Sequence, residues 1–125
     1  MFLVDTNVFL EILLRRDKKE DCKKFLNDNI GNLSITDFSL HSIGVILFRY
    51  GKEEVFRKFV EDIMPNIKLL SLPMEQYKEV VNVRKRLNLD FDDAYQYSAA
   101  KYLSLIHISE PTRPLYISYA VFCLK

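Results

Sequence analysis

The run Phe2-Leu3-Val4-Asp5-Thr6-Asn7-Val8-Phe9-Leu10 decides how this chain folds. Three apolar residues lead straight into an acid, and a second apolar stretch begins three positions after it. Phe2, Leu3 and Val4 read as a strand buried on both faces, because no polar residue alternates with them. Val8 to Leu14 reads as the helix that follows. Asp5 then stands at the carboxyl end of a strand, where open α/β sheets form their ligand crevice. An acid delivered there is costly to bury unless it is paired or bound to a metal. The competing reading is a carboxylate that only caps the next helix.

At 125 residues and 14.8 kDa the chain fits one domain, and 49% hydrophobic content is enough for a real core. No apolar run approaches the ~18 residues of a membrane span. The start has neither a basic region nor a small-residue cleavage site, so a signal peptide is not expected. Cys22 and Cys123 match no metal spacing, which points to a reducing, cytoplasmic setting. A net charge of +1 carries no strong nucleic-acid signal by itself. It does not exclude a basic rim around an acidic pocket.

From about Ser104 the character changes. The stretch S-L-I-H-I-S-E-P-T-R-P-L-Y-I-S-Y-A-V-F-C-L-K resembles translated adapter or vector sequence fused to a truncated reading frame. Two of the four prolines, Pro111 and Pro114, fall in it. The expected organisation is therefore a domain over residues 1–103 and a non-native tail over 104–125, with a native strand from Leu115 to Leu124 as the alternative. Setting aside Arg113, Lys125 and Glu110 leaves basic and acidic side chains in equal number.

Between these ends strands and helices alternate. Lys18 to Asn29 is a short amphipathic helix, and Gly31 marks a turn. Leu33 to Thr36 is a strand, after which Thr36 or Asp37 caps a helix to about Tyr50, stopped by Gly51. Lys52 to Met64 is amphipathic and closed by Pro65. Ile67 to Leu72 is a third strand, Met74 to Leu87 a helix, and Asp93 opens a last helix ending near Leu103. This order calls for a parallel sheet wrapped by helices.

The second acidic feature is L-D-F-D-D-A-Y-Q-Y-S-A-A-K. Asp90, Asp92 and Asp93 crowd a helix entrance, where one acid suits the orphan amides and the dipole but three exceed what capping needs. A divalent cation relieves their repulsion. Small Ala94, Ala99 and Ala100 let the helix approach the sheet, so that Asp5 and Asp93 converge on one side. Carboxylate oxygens suit magnesium, which activates water for phosphodiester hydrolysis.

At these residues the chain resembles PIN-domain proteins, a group that includes the VapC-like toxins of prokaryotic toxin–antitoxin pairs. The likeness rests on V-D-T-N-V, the strand-then-helix after Ile35, and D-A-Y-Q-Y-S-A-A. It implies a three-layer α/β/α fold with a central parallel sheet and a magnesium- or manganese-dependent endoribonuclease. Carried over, Asp5 and Asp93 are catalytic metal ligands and Asp92 a second or substitute ligand. Thr6 or Asn7 supports Asp5 through hydrogen bonds. The implied partners are RNA, an antitoxin protein and a second copy of the chain.

Two departures follow. Where the family carries an acid after the second strand, this chain has His41 or Ser42, and His41 is a supporting candidate for manganese or phosphate. The family's remaining acid follows a fourth strand, which the tail replaces, so the last strand is expected to be missing and activity impaired. Lys18, Lys19, Lys23 and Lys24 read as a solvated face, whereas Arg84, Lys85 and Arg86 are candidates for steering RNA. Tyr95, Tyr97 and Tyr102 either stack bases or fill the core. The sequence therefore supports a metal-dependent endoribonuclease, with a catalytically silent RNA- or protein-binding module as the alternative.

Overall fold

The computed structural model describes residues 2–106, with side chains through Leu103. The expected strand from Leu115 to Leu124, and the tail from 107 onward, lie outside the described residues. Three strands form a parallel sheet in the order β1 (Phe2–Leu3), β2 (Leu33–Thr36), β3 (Lys68–Leu70). Phe2 pairs with Leu33, and Ser34 pairs with Lys68. β2 has a neighbour on each side and all four of its residues are buried. That explains why so short a segment holds as a strand.

The period-two alternation of a strand sorts these side chains between two layers. Phe2, Val4, Leu33 and Ile35 join one core with Val8, Phe9, Leu10, Ile43, Leu47 and Phe59. That core lies under α1 (Thr6–Leu13), α2 (Lys19–Asp28), α3 (Asp37–Arg49) and α4 (Glu53–Lys58). Leu3 points the other way and packs with Leu70, Ala99, Ala100 and Leu103. This second layer is built by α5 (Tyr77–Leu87) and α6 (Phe91–Ile106), whose shared core holds Leu72, Val80, Val83, Ala94 and Tyr95. Each fully buried Leu, Ile or Phe contributes about 1.5–3 kcal/mol. The architecture is the three-layer α/β/α fold with a parallel central sheet. Among the described residues no helix is long and apolar enough to cross a membrane.

Local chemistry sets the boundaries, and several differ from the sequence expectation. α1 begins at Thr6, two residues earlier than expected, because polar Thr6 and Asn7 fit a first helical turn whose amides need no intrahelical acceptor. Thr36 is the cap of α3 and accepts from the Ser39 N–H at 3.0 Å. Gly51 at φ +68° ends that helix, and the Lys52 N–H reaches back to the Leu47 carbonyl at 2.8 Å. Only a residue tolerant of the left-handed region closes the helix this way.

The amphipathic stretch after Gly51 is not one helix. α4 stops at Lys58, a π turn spans Phe59–Ile63, and a 3-10 turn spans Met64–Asn66. Pro65 has no N–H for the ladder and its ring crowds the preceding turn, so the chain changes pitch before reaching it. The third strand is shorter than expected, and α6 starts at Phe91 and continues to Ile106, past the expected end at Leu103.

Candidate functional site

Each parallel strand delivers its carboxyl end to one side of the sheet, and the acidic residues gather there. Asp5 follows β1 and occupies the position before α1 with extended backbone (φ −71°, ψ 149°), yet its side chain makes no capping hydrogen bond. The carboxylate is therefore not used on the helix amides, against the capping reading. Asp5 is 5% exposed, and its Oδ2 is buried and accepts no hydrogen bond.

The entrance to α6 supplies the other acids. Asp90 Oδ1 accepts from the Asp93 N–H at 3.2 Å, and the Asp90 carbonyl takes the Ala94 N–H at 2.9 Å, which is the geometry of a helix cap. One acid of the three thus does the capping, and Asp92 and Asp93 project from the first turn. Carboxylate oxygens of Asp90, Asp92 and Asp93 lie within 4.8 Å of one another. A shared hydrogen bond with Asp90, then burial and the neighbouring charges of Asp90 and Asp93, push the Asp92 carboxyl above its ordinary value.

This makes a prediction for the metal-free protein. Asp90→Asn keeps a cap-competent oxygen but removes one charge, and is expected to raise stability at pH 7 by about 0.2–0.5 kcal/mol. The native Asp92 holds its proton more tightly than the unfolded one, so its contribution is full in acid and lost as pH rises through the folded value. The gain in melting temperature should therefore vanish at acidic pH. A gain that persists there would point to a cause other than charge.

Asp5, Thr6, Asn7, Leu10, Phe38, Ser42, Ile46, Asp92, Asp93 and Gln96 line one cavity of about 410 Å³. The structure thus brings together Asp5, Thr6, Asn7, Asp92 and Asp93. It places His41 elsewhere. His41 Nδ1–H donates to the Asp37 carbonyl one turn back at 2.9 Å, and the ring lines the adjoining cavity. Ser42, from the same stretch, lines both that cavity and the acidic one.

Beneath the cavity runs a polar network that the sequence reading did not anticipate. Thr6 Oγ1 donates to Ser39 Oγ at 2.9 Å, and Thr36 Oγ1 donates to Gln96 Oε1 at 3.0 Å. Gln96 Nε2 also donates to Ser39 Oγ. Thr36, Ser39 and Gln96 are buried and come from β2, α3 and α6. The network ties the start of α1 to the helix bearing Asp92 and Asp93. A signal for Gln96 was available, since an amide three and four positions after the acids shares their helix face.

A second knot holds the strand ends. Tyr95 Oη donates to Asp37 Oδ1 at 2.7 Å and accepts from the Leu72 N–H at 3.1 Å, while Ser71 Oγ donates to Asp37 Oδ2. Burial is the main cause lifting the Tyr95 hydroxyl well above its ordinary value. Tyr95 belongs to the core, with Tyr97 and Tyr102 packed against it. Tyr95→Phe leaves the Leu72 amide without its acceptor and is expected to cost about 1–3 kcal/mol in denaturant unfolding. An unchanged midpoint would show that water replaces the hydroxyl. Arg84 reaches the Leu89 carbonyl at 2.9 Å and steadies the loop before the acids.

The donor set fits the divalent cation implied by the sequence. The side chains lining the cavity offer carboxylate, hydroxyl and amide groups, with no thiol or imidazole among the described residues there. Such a lining suits a hard divalent cation. Asp5 lies outside the three-carboxylate group but lines the same cavity from the β1 side.

A three-layer α/β/α domain with acids at the carboxyl ends of a parallel sheet defines the class. The profile of the PIN domain matches residues 2–113, and the chain belongs to the PIN-domain family, a nuclease-type fold. No curated protein and no solved structure matches the chain.

Proposed function

We propose that this protein is a metal-dependent endoribonuclease of the VapC-like kind, hydrolysing RNA phosphodiesters at the acidic cavity. The observation that carries the reading is the shared lining of Asp5, Asp92 and Asp93, which are 87 and 88 positions apart in sequence and meet only through the fold. Asp5, Asp92 and Asp93 would hold magnesium or manganese. When bound, the ion would supply Lewis-acid polarisation of a phosphoryl oxygen and an acidified water. Thr6 fixes the start of α1 beside Asp5 through Ser39, and Gln96 holds the face of α6 that carries the acids. Ser42 places a hydroxyl in the same cavity, where it can donate to a phosphate oxygen. Arg84, Lys85 and Arg86 steer RNA toward the entrance. The free buried thiol of Cys22 accords with a reducing, cytoplasmic setting.

One observation favours the alternative of a catalytically silent RNA- or protein-binding module. α3 brings Phe38, Ser42 and Ile46 to the cavity and no acid. The fourth strand and its acid, which the sequence reading expects to be missing, would fall outside the described residues. On the main reading activity is accordingly weak. The test is cleavage of a single-stranded RNA across a magnesium or manganese titration. Cleavage that rises with metal and stops with chelator is expected, and cleavage indifferent to chelator would overturn the metal reading. An antitoxin contact and a homodimer complete the proposal.

A further inference from the structure

Beside the acidic cavity lies a second one of about 460 Å³, lined by Asp37, Phe38, His41, Ser42, Val45, Ile46, Tyr77, Phe91 and Tyr95. The two share Phe38, Ser42 and Ile46 as a common wall, so they form neighbouring compartments of one groove. Their chemistry differs. The first presents carboxylates, the second mainly rings.

Phe91 is the ring most open to solvent there, 55% exposed, and it immediately precedes Asp92 in α6. It is not loose. Its centroid lies 6.0 Å from that of Phe38 and 6.2 Å from that of Tyr95, and Tyr77 stands 5.8 Å from Tyr95. Tyr95 is fixed by its hydrogen bonds to Asp37 and Leu72. An exposed ring packed against the buried Tyr95 and the half-buried Phe38 is a platform already in place before any ligand arrives, and so costs little ordering on binding. At the rim, His41 Nδ1 must carry a proton to donate to the Asp37 carbonyl, which leaves Nε2 of the neutral ring as an acceptor.

We propose that this compartment is a nucleobase subsite: the base next to the reacting phosphate leaves its stack and lies on Phe91, with His41 Nε2 accepting from an N–H of its edge. The proposal rests on the nuclease reading above and names the residues that would hold one base of its substrate. A nucleotide links an anionic phosphate to a flat apolar base, and the groove sets the acids that would hold a phosphate-bridging cation beside a surface of rings. An apolar protein segment would use the rings but would gain nothing from the acids next to them.

The test measures binding of a short phosphorothioate oligoribonucleotide in magnesium by fluorescence anisotropy, using the full chain. The ligands are the single strand, the same strand lacking its bases, and a duplex. Phe91→Ala is expected to weaken single-strand binding by about 5- to 150-fold, the loss that removing one base–aromatic stack brings. The base-free strand should bind both proteins equally, the duplex should bind poorly, and Phe91→Tyr should restore the affinity. Equal single-strand binding by wild type and Phe91→Ala would overturn the subsite while leaving the nuclease reading intact. So would a duplex bound as tightly as the single strand, or an apolar peptide that alone loses affinity in the variant. No RNA binding by the wild type in magnesium would overturn both.

Discussion

In the Asp5→Asn variant, metal-dependent RNA cleavage falls by at least about 100-fold while the fold is retained. Even groups that only orient metal ligands cost 10- to 100-fold when removed, and a direct carboxylate ligand belongs at or beyond the upper end. Asn has the same shape and keeps one carbonyl oxygen, so packing around this buried position is preserved. What disappears is a negative charge in a site shielded from water, where charge counts for more than at the surface. Single-turnover cleavage and manganese affinity should fall together, with an unchanged circular dichroism spectrum. Wild-type cleavage by this variant would remove the proposed centre. If the protein is a silent binding module, there is no cleavage to lose, and RNA affinity holds or rises as repulsion falls.

The second large effect concerns stability. Gln96→Leu keeps side-chain volume but strips the donor from Ser39 Oγ and the acceptor from Thr36 Oγ1, both buried. The Thr36 hydroxyl is left without an acceptor, whereas Ser39 Oγ still accepts from Thr6 Oγ1, so a loss of about 1–3 kcal/mol is expected. For a chain of this size that lowers the melting temperature by about 10 °C. Adding Thr36→Val removes that orphan, although it also removes the cap accepting from the Ser39 N–H. The double variant should therefore lose less than the sum of the singles, by about 1 kcal/mol. Strict additivity would show that the Thr36–Gln96 bond contributes nothing of its own.

Much of the fold was legible because its signals are local. The apolar run before Asp5 can hardly be anything but a buried strand, and Leu33–Thr36 emerges with the expected bounds. Gly51, at positive φ, stops its helix where the sequence punctuates it, and Asn88, also at positive φ, follows the expected helix end at Leu87. The break after Lys58 was not legible, because hydrophobic spacing alone does not distinguish an α turn from the wider π turn that precedes Pro65. Nor was the split between His41 and Ser42, adjacent in sequence, of which His41 lines only the aromatic cavity and Ser42 lines both. That one-residue difference is a rotation of about 100° around a helix, fixed by how α3 packs rather than by composition.

The amino-acid sequence by itself determined the order of strands and helices, the acid at the end of β1 and the acids at the start of α6, since each depends on neighbours within a turn or two. The tertiary structure alone decided that these acids share a cavity, that Gln96 locks α6 to β2 and α3, and that an aromatic compartment adjoins them. Those facts depend on α6 crossing the opposite face of the sheet from α1 and α3. Such packing is set by long-range burial among Leu3, Leu70, Ala99, Ala100 and Leu103, which no local pattern encodes.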